Sequence, residues 1–392
     1  MSVEIVENGE VHLYGSERLG DKPRIGILTS GGDCPGLNAV LRATTKTAFW
    51  LGYDVVGFRE GFEGLVDPIR YQVLSPRNTA GILVTGGTML GSTNKGRFGA
   101  RVGVSGRAEI DPALVQSVAQ TVDRLKLEGL IVVGGDGSLS TALQFHEAGI
   151  PVVGVPKTID NDLACTAYTF GFNSAVLCCS DALDRLHTTA ESHRRVMVLE
   201  VMGRHTGWIA LHGAIAGGAD VVLLPEIAWT FENIVAKIEE RRGLGKEFTL
   251  VVVAEGAHLP SGDLVTNAEG SENKQVKLGG IGQVVTERLD SMIDQDVRCV
   301  VLGHLQRGGG PTTFDRVLSS QYGAHAVRLI VEGKFGQMVC SHPPEIRDVP
   351  IADAVHQIRT VDPNGSAVQT ARAMGICLGD TPGYENPFGK TK

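Results

Sequence analysis

Apolar and polar positions in this chain follow two alternating periods. Short apolar runs end in clusters of Gly or Asp, and stretches with apolar residues three or four apart follow them. Runs at 24–29, 53–59, 82–84, 130–133 and 152–155 predict strands. Between them, the spacing of Val40, Leu41, Thr44 and Ala48 predicts a helix from Asn38. Leu114, Val115, Val118, Val122 and Leu125 share one face of a helix over 112–127, and a further helix is expected over 138–148. Strands apolar throughout, alternating with helices, make a parallel sheet buried on both faces. Such sheets bind ligands beyond the carboxyl ends of their strands. Every Gly- or Asp-rich turn in this half follows a predicted strand: 30–36, 60–64, 85–95, 134–138 and 156–162.

From about residue 172 the same grammar repeats. Strands are predicted at 196–201, 221–226, 248–254 and 297–302, with helices over 174–188, 231–242 and 313–330. Here the strand ends carry Arg195, Arg204, Arg298 and Arg307 in place of glycines and aspartates. Residues 1–23 lack periodicity and are expected to lie on the surface as an extension. The polar stretch 256–277 reads as a surface excursion, and the tail after 382 as poorly ordered.

The expected fold class is therefore α/β. The predicted organisation is two Rossmann-like three-layer domains with mainly parallel sheets, one built from 1–171 plus about 306–355 and the other from about 172–305 plus 356–392. A chain of 392 residues is long enough for this. Its 42% hydrophobic and 20% charged residues are those of a globular protein. Its 51 glycines are roughly twice the usual share and cluster after apolar runs, where backbone approaches a ligand closely. A net charge of −8 without a basic stripe argues against nucleic acid as partner, and no apolar run is long enough for a membrane span. Seven scattered cysteines without a CxxC pair fit reduced thiols in the cytoplasm.

The chemistry concentrates between Leu130 and Asp162. Gly31, Gly32 and the turn Gly135-Asp136-Gly137-Ser138 offer bare backbone N–H groups to phosphates. A carboxylate beside phosphates calls for a cation, and Asp136 with Mg²⁺ satisfies both, since Mg²⁺ takes one or two carboxylates plus phosphate oxygens. The same Asp would also serve as an ordinary cap of the following helix. Asp160 and Asp162 occupy alternate positions after a strand, and either suits proton removal from an attacking alcohol. An Asx-turn around Asn161 has the same composition. The four arginines suit an anionic substrate, because guanidinium matches phosphate bidentately.

The segments TSGGDCPGLNAVLR, GGTMLGS, GGDGS, PKTIDND, MGRHTGW and GHLQRGG occur in that order across residues 24–330, and together the chain resembles the 6-phosphofructokinase family. The resemblance implies two α/β domains with an active-site cleft between them, and phosphoryl transfer from ATP to the 1-hydroxyl of fructose 6-phosphate. It assigns the donor to Gly32, Gly135, Asp136, Gly137 and Ser138, with Mg²⁺ at Asp136. Thr158, Ile159, Asp160 and Asp162 would lie at the sugar's 1-hydroxyl, with Asp160 as base. Met202, Gly203 and Arg204 would flank the transferred group and the sugar, and Glu255 would bind sugar hydroxyls. The His304-Leu305-Gln306-Arg307 segment would hold the 6-phosphate. Arg195 and Arg298 match arginines that reach that phosphate from a neighbouring subunit, implying a homodimer or homotetramer with shared sites.

Two positions bear on the donor. Pyrophosphate-dependent relatives carry Asp where this chain has Gly137, so ATP fits here. Lys157 points towards pyrophosphate, since ATP-specific bacterial members usually have Gly there. The combination resembles the mixed-substrate branch, with ATP favoured and a pyrophosphate-dependent enzyme as the alternative. Where ATP enzymes carry a phosphoryl-supporting Arg, this chain has Asn94 and Lys95. A non-catalytic sugar-phosphate sensor on the same fold would be expected to lack Asp136 or Asp160, and both are present.

Overall fold

The computed structural model describes residues 4–7, 10–13, 19–93, 96–98, 109–266 and 278–382. The chain forms two compact units. One comprises Met1–Asn173 and Arg307–Ile358, the other Ser174–Gln306 and Arg359–Lys392.

The first unit opens with strands β1 (Glu4–Glu7), β2 (Glu10–Leu13) and β3 (Arg24–Thr29), then helix α1 (Leu37–Trp50). Strands β4 (Asp54–Phe58) and β5 (Ile69–Leu74), helix α2 (Pro112–Arg124), strand β6 (Leu127–Gly134) and helix α3 (Asp136–Glu147) follow. Strands β7 (Val152–Thr158) and β8 (Phe170–Gly171) lead into α4 (Phe172–His193), whose first residues close this segment. The second unit holds β9 (Val196–Val201), α5 (Trp208–Gly217), β10 (Val221–Leu223), α6 (Phe231–Gly243), β11 (Thr249–Ala254), α7 (Ile281–Asp290) and β12 (Val297–Val301). The chain then returns to the first unit for α8 (Thr313–Val331), β13 (Gln337–His342), β14 (Glu345–Pro350) and α9 (Ile351–Ala354), and ends in the second with α10 (Ser366–Ala373).

Among the described residues the first unit's sheet runs β1-β2-β5-β4-β3-β6-β7-β13-β14, with β8 pairing on β7. Its centre, β4-β3-β6-β7-β13, is parallel. Alternate residues of these strands face opposite ways, and both faces are covered. Leu28, Val56, Leu130, Val132 and Val152 join Val118, Leu139 and Ala354 from the helices α2, α3 and α9 in one core. Ile27, Val55, Ile131, Val133 and Val153 are equally buried on the other face. Burial on both faces is why these strands read as unbroken apolar runs. The second unit's sheet, β10-β11-β9-β12, is parallel throughout. It packs with Ile234 and Ile238 of α6 and Val285 and Leu289 of α7.

Helix starts follow local chemistry. Asp111 accepts from Ala113 N–H at 2.9 Å with Pro112 opening α2, and Thr230 and Thr312 cap α6 and α8 from their hydroxyls.

The α/β class and the mainly parallel sheets are as the sequence predicts. Three local expectations are corrected. Part of the amino-terminal stretch, expected only as a surface extension without periodicity, forms the β1–β2 hairpin, and β2 joins the sheet beside β5. Ile82–Val84 is a 3₁₀ turn, because three exposed or half-exposed apolar residues find no sheet neighbour. Strand β7 continues through Thr158, so Pro156 and Lys157 are strand residues and the turn begins at Ile159. The tail after 382 and half of the polar excursion (267–277) lie outside the described residues.

Candidate active site

In the first unit, β3 ends at Thr29 and the chain turns through Gly31 and Gly32 into α1. Ser30 N–H donates to Val133 O of the neighbouring strand at 2.9 Å. Gly31 has φ +81, and a β-carbon there would sit 3.4 Å from Lys157 Nζ and 3.5 Å from Ser138 Oγ. The left-handed backbone is what favours glycine here, the two neighbours being at ordinary contact distance. The bend at 85–93 is laced to this turn. Ser92 Oγ donates to Gly31 O at 2.5 Å, and Asn38 Nδ2 donates to Thr85 Oγ1 and Gly86 O, each at 3.1 Å. Two cations hold the turn's carbonyls: Lys157 Nζ donates to Gly32 O at 2.5 Å and Arg307 Nη1 to Asp33 O at 3.1 Å. On the N–H side, Gly31 donates to Thr93 O at 3.3 Å, so the expectation that Gly31 offers a bare N–H group to a phosphate is corrected.

Strand β6 ends at Gly134, and α3 starts at Asp136 behind Gly135, which supplies no side-chain cap. Asp136, Gly137 and Ser138 form the first helical turn, where unpaired N–H groups and the helix dipole favour phosphate. Asp136 is exposed, and its Oδ1 accepts from His356 N–H at 3.0 Å.

The third element is the end of β7. Lys157 is 4% exposed. Burial lowers its pKa, a trend opposed by Cys34, reinforced by Arg307, and opposed again by Asp160 and Asp33. Beside it, the fully buried Cys34 thiol is pushed up to about 12, chiefly by burial, and is neutral at pH 7. Thr158 Oγ1 accepts from Asp160 N–H at 3.1 Å. Asn161 takes a left-handed conformation (φ 52), and its Oδ1 accepts from Thr169 N–H at 2.9 Å. Thr169 Oγ1 in turn donates to Thr158 O at 2.7 Å. This lattice, which the sequence reading had as only one alternative for Asn161, fixes the turn that carries Asp160 and Asp162. Burial first, and then the charge of Asp160, push Asp162 up to about 7, with a smaller push from Asp136; its own backbone N–H and the Thr158 hydroxyl act in the opposite sense. Asp160 and Asp136 are therefore each within electrostatic reach of Asp162. Ile159 is fully buried, which leaves only its backbone for a ligand.

In the second unit the parallel order β11-β9-β12 places the residues after those strands along one edge: Glu255 after β11, Met202-Gly203-Arg204 after β9, and His304 after β12. Gly203 has φ +142, and a β-carbon there would be 2.6 Å from Thr206 O. Its carbonyl accepts from Gly256 N–H at 3.1 Å, tying two strand ends together. Gln306 is 1% exposed; its Oε1 accepts from Met202 N–H at 2.7 Å and its Nε2 donates to Ala175 O at 3.5 Å. Its amide thus braces Met202 from below. Leu305 and His304 are exposed, and Arg204 is half-buried, with a buried Nε that has no partner among the described residues.

Arg195 and Arg298 are not with this group. The sequence reading had all four arginines at ligand-facing strand ends, but Arg195 precedes β9 and Arg298 is the second residue of β12, so both lie at the amino ends. Six residues at about 3.3 Å each put roughly 20 Å between the two ends of β9. There the two arginines share Asp296. Arg195 Nε meets Oδ2 at 3.1 Å, and Arg298 Nη2 meets Oδ1 and Oδ2 at 3.1 and 3.0 Å.

Asn94 and Lys95 lie outside the described residues. Among the described residues no group of three or more His, Cys, Asp or Glu could hold a metal, and no helix is long and apolar enough to cross a membrane. All seven cysteines are free thiols.

Comparison with known proteins matches residues 24–330 to the phosphofructokinase family model. The chain is 51% identical over 359 residues to an ATP-dependent 6-phosphofructokinase of Chloroflexus aggregans, covering 92% of this chain and 98% of that protein. It is also 44% identical over 345 residues to a pyrophosphate–fructose 6-phosphate 1-phosphotransferase of Streptomyces coelicolor, covering 87% and 96%. Among solved structures it resembles Pichia pastoris phosphofructokinase in the T-state (TM-score 0.75, 28% identity). That match covers 92% of this chain and 37% of the yeast chain's length.

Proposed function

This chain belongs to the phosphofructokinase family, and on that footing we propose that it transfers a phosphoryl group from ATP to the 1-hydroxyl of fructose 6-phosphate, giving fructose 1,6-bisphosphate. The observation that carries this reading is the trio Asp136, Asp160 and Asp162. They stand at the carboxyl ends of the adjacent strands β6 and β7, beside a glycine turn whose carbonyls are held by Lys157 and Arg307.

The donor phosphates lie against Gly32 and the first turn of α3, from Gly135 through Ser138. Asp136 is exposed and, among the described residues, belongs to no group of three or more His, Cys, Asp or Glu that could hold a metal by itself. This fits a cation that takes one carboxylate and fills its shell with phosphate oxygens and water. Mg²⁺ held by Asp136 would supply neutralisation of the donor's negative charge. Asp160 removes the proton from the sugar's 1-hydroxyl as it attacks, with Thr158 and Asp162 alongside. A positioned base of this kind contributes about 10²–10⁴-fold. Met202, Gly203, Arg204 and Glu255 bind the sugar, and His304 and Arg307 its 6-phosphate.

Gly137 places no carboxylate at the α-phosphate of ATP. The Lys157 ammonium, which by residue type would suit pyrophosphate, donates to Gly32 O. The glycine favours ATP, whereas Lys157 by residue type points towards pyrophosphate. Arg195 and Arg298, roughly 20 Å from their own chain's sugar-binding edge, serve the 6-phosphate of a neighbouring copy, so the working form is a homodimer or homotetramer. The free thiols fit a reducing cytoplasm.

Parallel initial-rate assays with ATP and with pyrophosphate, quantifying fructose 1,6-bisphosphate, test the reading. Faster turnover with ATP is expected. Turnover with pyrophosphate alone would overturn the donor assignment, and no product with either donor would overturn the reaction.

A further inference from the structure

Asp136 opens its helix, so no preceding helical turn fixes its carboxylate, and Gly135 offers no side chain. Its anchor comes from 220 residues away, where His356 N–H donates to Oδ1 at 3.0 Å. His356 makes this bond from φ +64, a region that residues bearing a β-carbon seldom enter. The segments around it are pinned. Val355 is 2% exposed in the core, and its N–H closes α9 on Ile351 O at 3.2 Å. Ile358 forms an antiparallel bridge with Leu163, next to Asp162. The His356 side chain is exposed, so the main chain, and not the imidazole, makes the contact.

We propose that His356 is a positioning residue for Asp136: its left-handed turn aims a main-chain N–H at Oδ1 and so sets the carboxylate for a divalent cation. A carboxylate at the end of its side chain rotates in a broad, roughly two-fold well. One directional donor selects an orientation before the metal arrives, and outer donors of this kind are worth about 10–100-fold in metal affinity. The inference rests on Asp136 being the metal ligand.

The test compares His356→Gly with His356→Val. Both delete the imidazole and keep the N–H, but Gly enters the left-handed region freely and Val does not. Mn²⁺ bound to the protein–ADP complex is followed by loss of the free-ion EPR signal, alongside ADP affinity without metal and the melting midpoint. His356→Val is expected to weaken Mn²⁺ by about tenfold or more, with metal-free ADP affinity unchanged, and His356→Gly to restore most of the loss. Equal Mn²⁺ affinity in the two variants, or a change in His356→Val confined to the melting midpoint, overturns the proposal. Should His356→Val fail to fold, an α-hydroxy acid at position 356 removes the N–H alone. Mn²⁺ affinity equal to that of its matched amide would then overturn the proposal. Asp136→Asn separates the two layers. If it binds Mn²⁺ as the parent does, the metal assignment fails; if it loses Mn²⁺ while His356→Val does not, only the positioning role fails.

Discussion

Asp162 offers a direct physical test of the carboxylate cluster. In the folded protein its pKa is raised from 3.8 to about 7, first by burial and then by Asp160. A group whose pKa rises on folding holds its proton more tightly in the native state. Its contribution is therefore fully present below about pH 4 and is lost as pH climbs through about 7. At about 1.4 kcal/mol per unit, a rise of roughly three units is worth at most about 4 kcal/mol. Part of this belongs jointly to Asp160, so the effect assigned to Asp162 alone is smaller. Asp162→Asn mimics the protonated form at every pH. Melting midpoints measured from pH 4.5 to 8.5 should therefore show the parent falling relative to Asp162→Asn as pH rises. The gap should widen steadily between about pH 4.5 and 7, where only the folded state holds the proton, level off above about pH 7, and reach several degrees. Asp160→Asn, which removes the second-largest cause, should move the parent's inflection towards lower pH. Parallel curves for parent and Asp162→Asn would refute the argument, because Asp162 would then be ionised throughout.

Three further outcomes follow from the proposed chemistry. Asp160→Asn should lower kcat by about 10²–10⁴-fold with KM values for both substrates within a few-fold; near-parent kcat would remove Asp160 as base. Gly137→Asp should depress kcat/KM for ATP by about a thousandfold, since like charges about 4 Å apart cost about 4 kcal/mol at an effective dielectric of 20; an unchanged ATP rate would dismiss the charge argument. Arg298→Ala and Asp160→Asn proteins, each nearly inactive, should regain activity when mixed after dissociation, because some sites then combine both intact residues. Mixtures that exchange subunits but stay inactive would show that sites are not shared.

The framework strands were legible because burial on both faces leaves a continuous apolar signature, as in the runs ending at Thr29, Val133 and Val201. Helix α2 was legible for the opposite reason, its single apolar stripe. Helix α5 was missed: Ile209, Ala210, Leu211 and Ala214 are buried together, which erases the amphipathic period. β5 alternates between buried and half-buried residues only over Ile69–Gln72, too short a signal against the neighbouring turns. Of the site, residue types and turns were readable, but not which atoms meet. Lys157 reaches Gly32 across 125 positions, and nothing in the local sequence foretells it. The misplacement of Arg195 and Arg298 was avoidable, since their position before or at the start of an apolar run already marks the amino end of a parallel strand. The role of Gln306 could be found only from its burial against Met202.

The first unit is assembled from two stretches of chain separated by more than a hundred residues. β7, which carries Lys157 and Thr158, borders β13 at residues 337–338. During synthesis, therefore, β7 leaves the ribosome with one edge covered only at Lys157 and Thr158, by β8, and the rest of that edge waits until the whole intervening unit has been made. An unpaired parallel edge is a template for wrong partners. The turns after β3, β6 and β7 are thus made well before the strand that completes the sheet beside them.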